Sequence, residues 1–243
     1  MTGPDVALAV RRLSAGYGET TVVRDVDLTV GRGETFVIVG PNGHGKTTLL
    51  RAISGLLRLR AGEIELDGRR IDGERAEARA DRGLIHIPQG DHLFGELTVE
   101  ENLLMGAFPR GAWGRRREAL DHVYEVFPAL RERHRQRART LSGGERRQVA
   151  VGRGLMRDPR VLLIDEPSLG LAPVIIEIVY DTIARIAAQD VSILLVEENF
   201  THVGDMADRV AVFEMGRIVR VGAPAEIAAD ETVAHAYLGV LEP

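Results

Sequence analysis

Gly40-Pro-Asn-Gly-His-Gly-Lys-Thr47 stands between the apolar run Phe36–Val39 and a stretch where Leu49, Leu50, Ile53, Leu56 and Leu57 recur with helical spacing. The segment matches GxxxxGK[ST], and a strand before it with a helix after it gives that pattern its meaning. Glycines let successive backbone N–H groups converge on phosphate oxygens, and the helix N-terminus adds a favourable dipole. Gly40, Pro41, Asn42, Gly43, His44, Gly45 and Thr48 are thereby assigned to a phosphate cradle, Lys46 to the β- and γ-phosphates, and the Thr47 hydroxyl to Mg²⁺. The His44 imidazole reads as a spectator, because backbone groups do the work at that variable position. Lys46 is the one lysine in a chain that otherwise uses arginine, which argues that its ammonium is used.

Two further runs, Val161–Ile164 and Ile193–Val196, are apolar throughout, as expected of parallel strands covered on both faces. Pro173 suits a first helical turn, and Ile176, Val179, Tyr180 and Ile183 continue a helical stripe. Earlier in the chain, Val26, Leu28 and Val30 alternate with polar residues, as do Ile64 and Leu66 before the turn pair Asp67–Gly68. These predict antiparallel strands with one solvated face. From about residue 90 to 141 strand signals stop. Thr98 with Glu101 forms a capping-box pattern for a helix reaching about Gly106, and Arg115–Phe127 is a second helical stretch with Leu120, Val123, Tyr124 and Phe127 on one side. The expectation is an α/β chain folded as a single domain over 1–243. Its mixed-sheet core carries an antiparallel N-terminal subdomain and a helical subdomain inserted at about 90–150.

A length of 243 residues with 44% hydrophobic content suffices for one large core. The absence of cysteine excludes a disulfide framework and thiolate chemistry. A net charge of −5 argues against general nucleic-acid affinity. The N-terminal stretch does not read as a signal peptide, and every apolar run falls far short of the ~20 residues of a spanning helix. Any membrane role is therefore expected to come through a partner.

Val161-Leu-Leu-Ile-Asp-Glu166 ends a buried strand in two carboxylates, about 120 residues after the phosphate loop. Asp165 is expected in the Mg²⁺ shell, and Glu166 is expected to polarise the attacking water, an assistance worth roughly 10²–10⁴ in rate. A third element, Leu141-Ser-Gly-Gly-Glu145, opens a helical stretch about twenty residues before the acidic strand. Ser142, Gly143, Gly144 and Glu145 offer a second anion site at a helix start. One chain has no use for two γ-phosphate cradles, whereas two chains arranged head to tail do.

In this combination the three motifs resemble the ABC ATPase family of P-loop NTPases over essentially the whole chain. The resemblance implies that Tyr17, in Ser14-Ala-Gly-Tyr17-Gly18, stacks on adenine and that Gln89 contacts the metal and the water. Within the family, several stretches resemble LivF-like ATPase subunits of branched-chain amino acid importers. They are Asp165–Pro173, Leu97–Leu103 with Met105–Gly106, Tyr124–Pro128 and Ala236–Gly239. Related urea and amide importers share much of this pattern. The resemblance implies a peripheral subunit at the cytoplasmic face of a bacterial inner membrane. Its partners would be a LivG-like second ATPase (or a second copy of itself), two membrane-spanning permease subunits and an external solute-binding protein.

Two positions depart from the general family pattern. Ala172 stands where most members carry an aspartate, as is usual for LivF-like chains, and Glu198 stands at the switch position where most carry histidine. A carboxylate there would repel the γ-phosphate unless protonated, turned away or bridged by Mg²⁺. The alternative is that Glu198 caps or faces solvent. His202 reads as a surface histidine. An ATP-binding switch with weak hydrolysis is a rival reading, against which Glu166 argues. A non-transport ABC ATPase acting on nucleic acid is another, disfavoured by a single cassette with a short insertion.

Residues 110–139 hold nine arginines against four acids at helical spacing, which reads as a solvated or membrane-adjacent face rather than a nucleic-acid patch. Trp113, in a glycine-flanked loop, reads equally as an anchor or as packing. Gly152 and Gly154 interrupt the helix after Leu141–Glu145 at about 1 kcal/mol each relative to alanine, and close packing is the expected reason.

Overall fold

Alternating burial separates one sheet from another in a computed structural model that describes residues 5–108, 110–198, 200 and 204–229. His202 and Ala236–Gly239 lie outside the described residues. In chain order β1 (Val6–Tyr17), β2 (Thr20–Gly31) and β3 (Thr35–Val39) lead into α1 (Lys46–Ile53). β4 (Leu59–Leu66), β5 (Arg69–Arg70), α2 (Ala76–Asp81) and β6 (Leu84–Ile87) follow. α3 (Val99–Gly106), α4 (Arg110–Trp113), α5 (Arg116–Val126) and α6 (Pro128–Glu132) precede the longer α7 (Gly143–Leu155). Then come β7 (Val161–Asp165), α8 (Pro173–Ala187), β8 (Ser192–Glu197), β9 (Arg209–Glu214), β10 (Arg217–Gly222) and α9 (Pro224–Ala228). Among the described residues no helix is long and apolar enough to cross a membrane.

β2-β1-β4-β5 form an antiparallel sheet, and β10-β9-β3-β8-β7-β6 form a mixed one in which only β10 runs antiparallel to its neighbour. The fully apolar strands are buried on both faces because each face meets a different core. Phe36 and Ile38 of β3, Val161 and Leu163 of β7, and Leu194 and Val196 of β8 join α1 and the antiparallel sheet in one cluster. Val37 and Val39, Leu162 and Ile164, and Ile193 and Leu195 join the helices α3, α5, α7 and α8 in the other. Parity along each strand thus decides which layer a residue sees. No strand lies between β6 and β7 among the described residues, and the helices there pack on the second cluster.

Thr98 caps α3 as its sequence predicts: its hydroxyl accepts the Glu101 N–H, and Glu101 accepts the Thr98 N–H. Gly152 of α7 faces α3 and α5, and a Cβ there would lie 3.0 Å from both Leu103 and Val123, so close helix packing accounts for this glycine. Helix α1 is shorter than its apolar spacing predicts. It ends at Ile53, and Leu56 is left 63% exposed. Gly55, at φ +82, ends the helix locally with its N–H on the Ala52 carbonyl at 3.2 Å, and a tertiary contact completes the end. The buried Arg79 guanidinium donates to the carbonyls of Ala52 (3.0 Å), Ile53 (2.6 Å), Asp72 (2.9 Å) and Glu74 (3.0 Å), satisfying the last turn of α1 from another element. Arg79→Met should therefore lower stability by about 1–3 kcal/mol through orphaned carbonyls, read as a lower denaturation midpoint with an unchanged slope.

Candidate active site

The carboxyl ends of β3, β7 and β8 come side by side, with Val39 opposite Glu197 and Asp165 opposite Val196. Ligand sites in open α/β sheets form at such an edge. The parity that buries Val161 and Leu163 against α1 also directs Asp165 toward α1, where its Oδ1 accepts the Thr47 hydroxyl at 3.1 Å. Asp165 Oδ2 is buried with no partner. Burial, opposed by the Thr47 hydrogen bond and reinforced by the Glu166 charge, raises the Asp165 carboxyl from 3.8 to about 6.

An orphaned carboxylate oxygen beside a threonine hydroxyl fits a hard divalent cation. No group of three His, Cys, Asp or Glu that could hold a metal occurs among the described residues, so a cation here would share its shell with phosphate oxygens and water. In the nucleotide-free protein the sign of the Asp165 effect is fixed. The folded state binds the extra proton between about 4 and 6, so the stability that Asp165 contributes is lost as pH rises through that window. The stability of wild type relative to Asp165→Asn should fall over the same window, measured by chemical denaturation without Mg²⁺.

Lys46 and Glu166 are 3% and 5% exposed and pair at 3.1 Å through Oε1. Lys46 Nζ also donates to the carbonyls of Gly40 (2.7 Å) and Pro41 (3.2 Å), folding the loop over its own side chain. Gln89 Nε2 donates to the other carboxylate oxygen of Glu166 at 2.9 Å, joining the loop after β6 to the end of β7. Glu166 itself has φ +44, a left-handed backbone that a glutamate adopts only under constraint. Gly45 precedes α1 at φ +106, which only glycine takes without strain, and no side chain caps the helix. The N–H groups of the first turn are therefore left for an anion.

The remaining predicted residues surround this cluster. Thr48 is buried in the first turn of α1. Tyr17 is 46% exposed, with its hydroxyl accepting from Arg51 Nη1 at 3.2 Å, so its ring is accessible to a stacking partner. The His44 Nδ1 accepts the Met215 N–H at 3.4 Å, a structural use of that imidazole. Ser142 and Glu145 form a second capping box at the start of α7, and Arg133 pairs with Glu145 at 2.6 Å. Gly144 lies against Ile175 of α8. Glu198 is exposed just beyond β8, and its backbone N–H donates to Glu197 Oε2 at 3.2 Å.

Sequence reasoning missed two connections. Arg147 of α7 is buried and donates to the Gly90 carbonyl at 3.1 Å, while Arg146 donates to Asp91 at 3.0 Å, so α7 grips the loop that carries Gln89. Glu197 closes β8 as a buried carboxylate. Its shared parity with Ile193 and Leu195 was the available signal for the second.

Residues 23–169 match the family model described as ABC transporter. The chain is 39% identical to the high-affinity branched-chain amino acid transport ATP-binding protein BraG of Pseudomonas aeruginosa, over 96% of this chain and 99% of that one. It is 34% identical to the probable branched-chain amino acid transport ATP-binding protein LivF of Archaeoglobus fulgidus, over 95% and 98%. It is also 34% identical to the lipopolysaccharide export system ATP-binding protein LptB of Haemophilus influenzae, over 96% and 97%. The fold is similar to that of a nucleotide-free ATP-binding cassette from an ABC transporter, with a TM-score of 0.85 at 25% identity over 96% of this chain and 99% of that one. The phosphate loop, the paired acids of β7 and this likeness in sequence and fold agree: the chain belongs to the ABC transporter family as an ATP-binding, ATP-hydrolysing subunit.

Proposed function

We propose that the chain powers a branched-chain amino acid importer from the cytoplasmic face of a bacterial inner membrane. The observation that supports this solute class is the near-full-length likeness to BraG and LivF. In this reading Glu166 polarises the attacking water, Asp165, Thr47 and Gln89 hold Mg²⁺, and Tyr17 stacks on adenine. Held there, the ion would supply neutralisation of the charge that develops on the phosphate oxygens. Lys46 leaves Glu166 for the phosphates, which frees the carboxylate to accept a proton from water. Glu198, exposed, faces solvent. Ser142, Gly143, Gly144 and Glu145 act on the ATP of a second ATPase, LivG-like or a second copy, in a head-to-tail dimer.

Transmission to the membrane subunits runs through Gln89, Gly90 and Asp91 into α7 by way of Arg146 and Arg147. Helices α3 to α7 act as one inserted lobe. The groove beside it, lined by His86, Met105, Gly106 and Arg153, is the docking place for a permease segment, with the exposed Leu56 adding apolar surface. The deciding experiment is uptake of labelled leucine, isoleucine and valine by cells that express the chain together with branched-chain amino acid permease subunits, against Glu166→Gln. Uptake that requires Glu166 supports the importer. Uptake unchanged by loss of the chain overturns the solute class and favours another cargo, such as that exported by the LptB system.

A further inference from the structure

We infer that Glu197 is a positioning residue, holding the strained backbone of Glu166 in place through the turn that follows it. This rests on the role of Glu166 proposed above. Glu197 is 4% exposed and ends β8 on the face of Ile193 and Leu195, which points it at α8 rather than at the phosphate loop. Its Oε1 accepts the Tyr180 hydroxyl of α8 and the Ser168 N–H at 3.1 Å, and its Oε2 accepts the Glu198 N–H. Its backbone carbonyl accepts the Gly40 N–H at 3.2 Å. One residue thus touches the start of the phosphate loop, the turn after Glu166, helix α8 and position 198.

The geometry gives this contact a purpose. Glu166 at φ +44 persists only if its flanks are over-determined. On one side the Glu166 N–H donates to the Val196 carbonyl at 3.0 Å, and on the other the Ser168 N–H is held by Glu197 Oε1. Both clamps come from consecutive residues of β8, and Tyr180 locks the second. A buried carboxylate is no efficient way to gain stability, since well-packed hydrophobes commonly do as well in its place. Three donors converging on it instead specify where the Glu166 turn sits. Arg147 adds its charge from α7, while its Nη1 donates to the Gly90 carbonyl and its Nε faces Asp91 at 3.7 Å.

The test is steady-state ATP turnover with Mg²⁺ for Tyr180→Phe, Glu197→Gln and Glu197→Asp, each alone and in the Glu166→Gln background. Tyr180→Phe removes one hydroxyl from the lock and keeps the packing. Glu197→Gln loses the acceptor for Glu198, and Glu197→Asp keeps the charge but loses the reach. Each should lower kcat about tenfold, with ATP affinity within about twofold of wild type. In the Glu166→Gln background the same changes should have no further effect on residual turnover, because they act through that side chain. Wild-type kcat in Tyr180→Phe and both Glu197 variants overturns the inference. So does a kcat loss that multiplies undiminished onto Glu166→Gln, or one that follows a loss of ATP affinity. If Glu166→Gln alone keeps wild-type turnover, the role of Glu166 is what fails, a different result from either of these.

Discussion

Glu166→Gln should lower Mg²⁺-dependent ATP turnover by about 10²–10⁴-fold while leaving ATP binding near wild type. The Glu166 carboxylate pairs through one oxygen with Lys46 and through the other with Gln89. On the proposed roles, Lys46 would move to the phosphates of ATP and leave Glu166 as an acceptor for the proton that the water must lose. Glutamine has the same shape and keeps one acceptor oxygen, yet it cannot take the proton. Phosphate release measured beside equilibrium binding of ATP separates the two effects. Turnover within about fivefold of wild type would mean that another group handles the water, and would overturn the role given to Glu166.

Lys46→Ala should produce two losses. Removing a charged donor from the β- and γ-phosphates should weaken ATP binding by about 10- to 100-fold. The nucleotide-free protein should also lose about 3–5 kcal/mol of stability, because Glu166 is left as a buried carboxylate without its cation. The second loss distinguishes this lysine from a surface phosphate ligand. Adding Glu166→Gln to Lys46→Ala should restore part of the stability and none of the affinity. Chemical denaturation of the two variants without nucleotide checks it. Equal stability of the single and double variants would show that the pair is not the source of the loss.

Features that close within one turn or one strand were legible in the sequence. The capping box at Thr98 joins residues three apart, so side-chain chemistry and spacing alone specify it, and the same spacing closes a second box at Ser142, a stretch read from the sequence as an anion site. The phosphate loop and the apolar runs of β3, β7 and β8 were readable for the same reason, since a glycine pattern and unbroken hydrophobicity are local facts. The family resemblance directed attention to Gln89, which the structure joins to Glu166, and to Tyr17, which it leaves half-exposed, and no spacing rule would have selected either.

What the tertiary structure decided is everything that joins distant segments. The last carbonyls of α1, whose end Gly55 sets locally, are satisfied by Arg79 reaching across from α2. The grip of Arg147 on the Gln89 loop and the hold of Glu197 on Ser168 require strands and helices to be ordered first. By its own amino acids the chain determined which groups could bind phosphate and polarise water. Strand order and parity determined that Lys46, Gln89, Asp165 and Glu166 share one edge, with Glu197 turned to the opposite layer. The reason is physical. A hydrogen bond between neighbours needs only backbone geometry, whereas one between β8 and α8 forms only after burial of both cores has set the register.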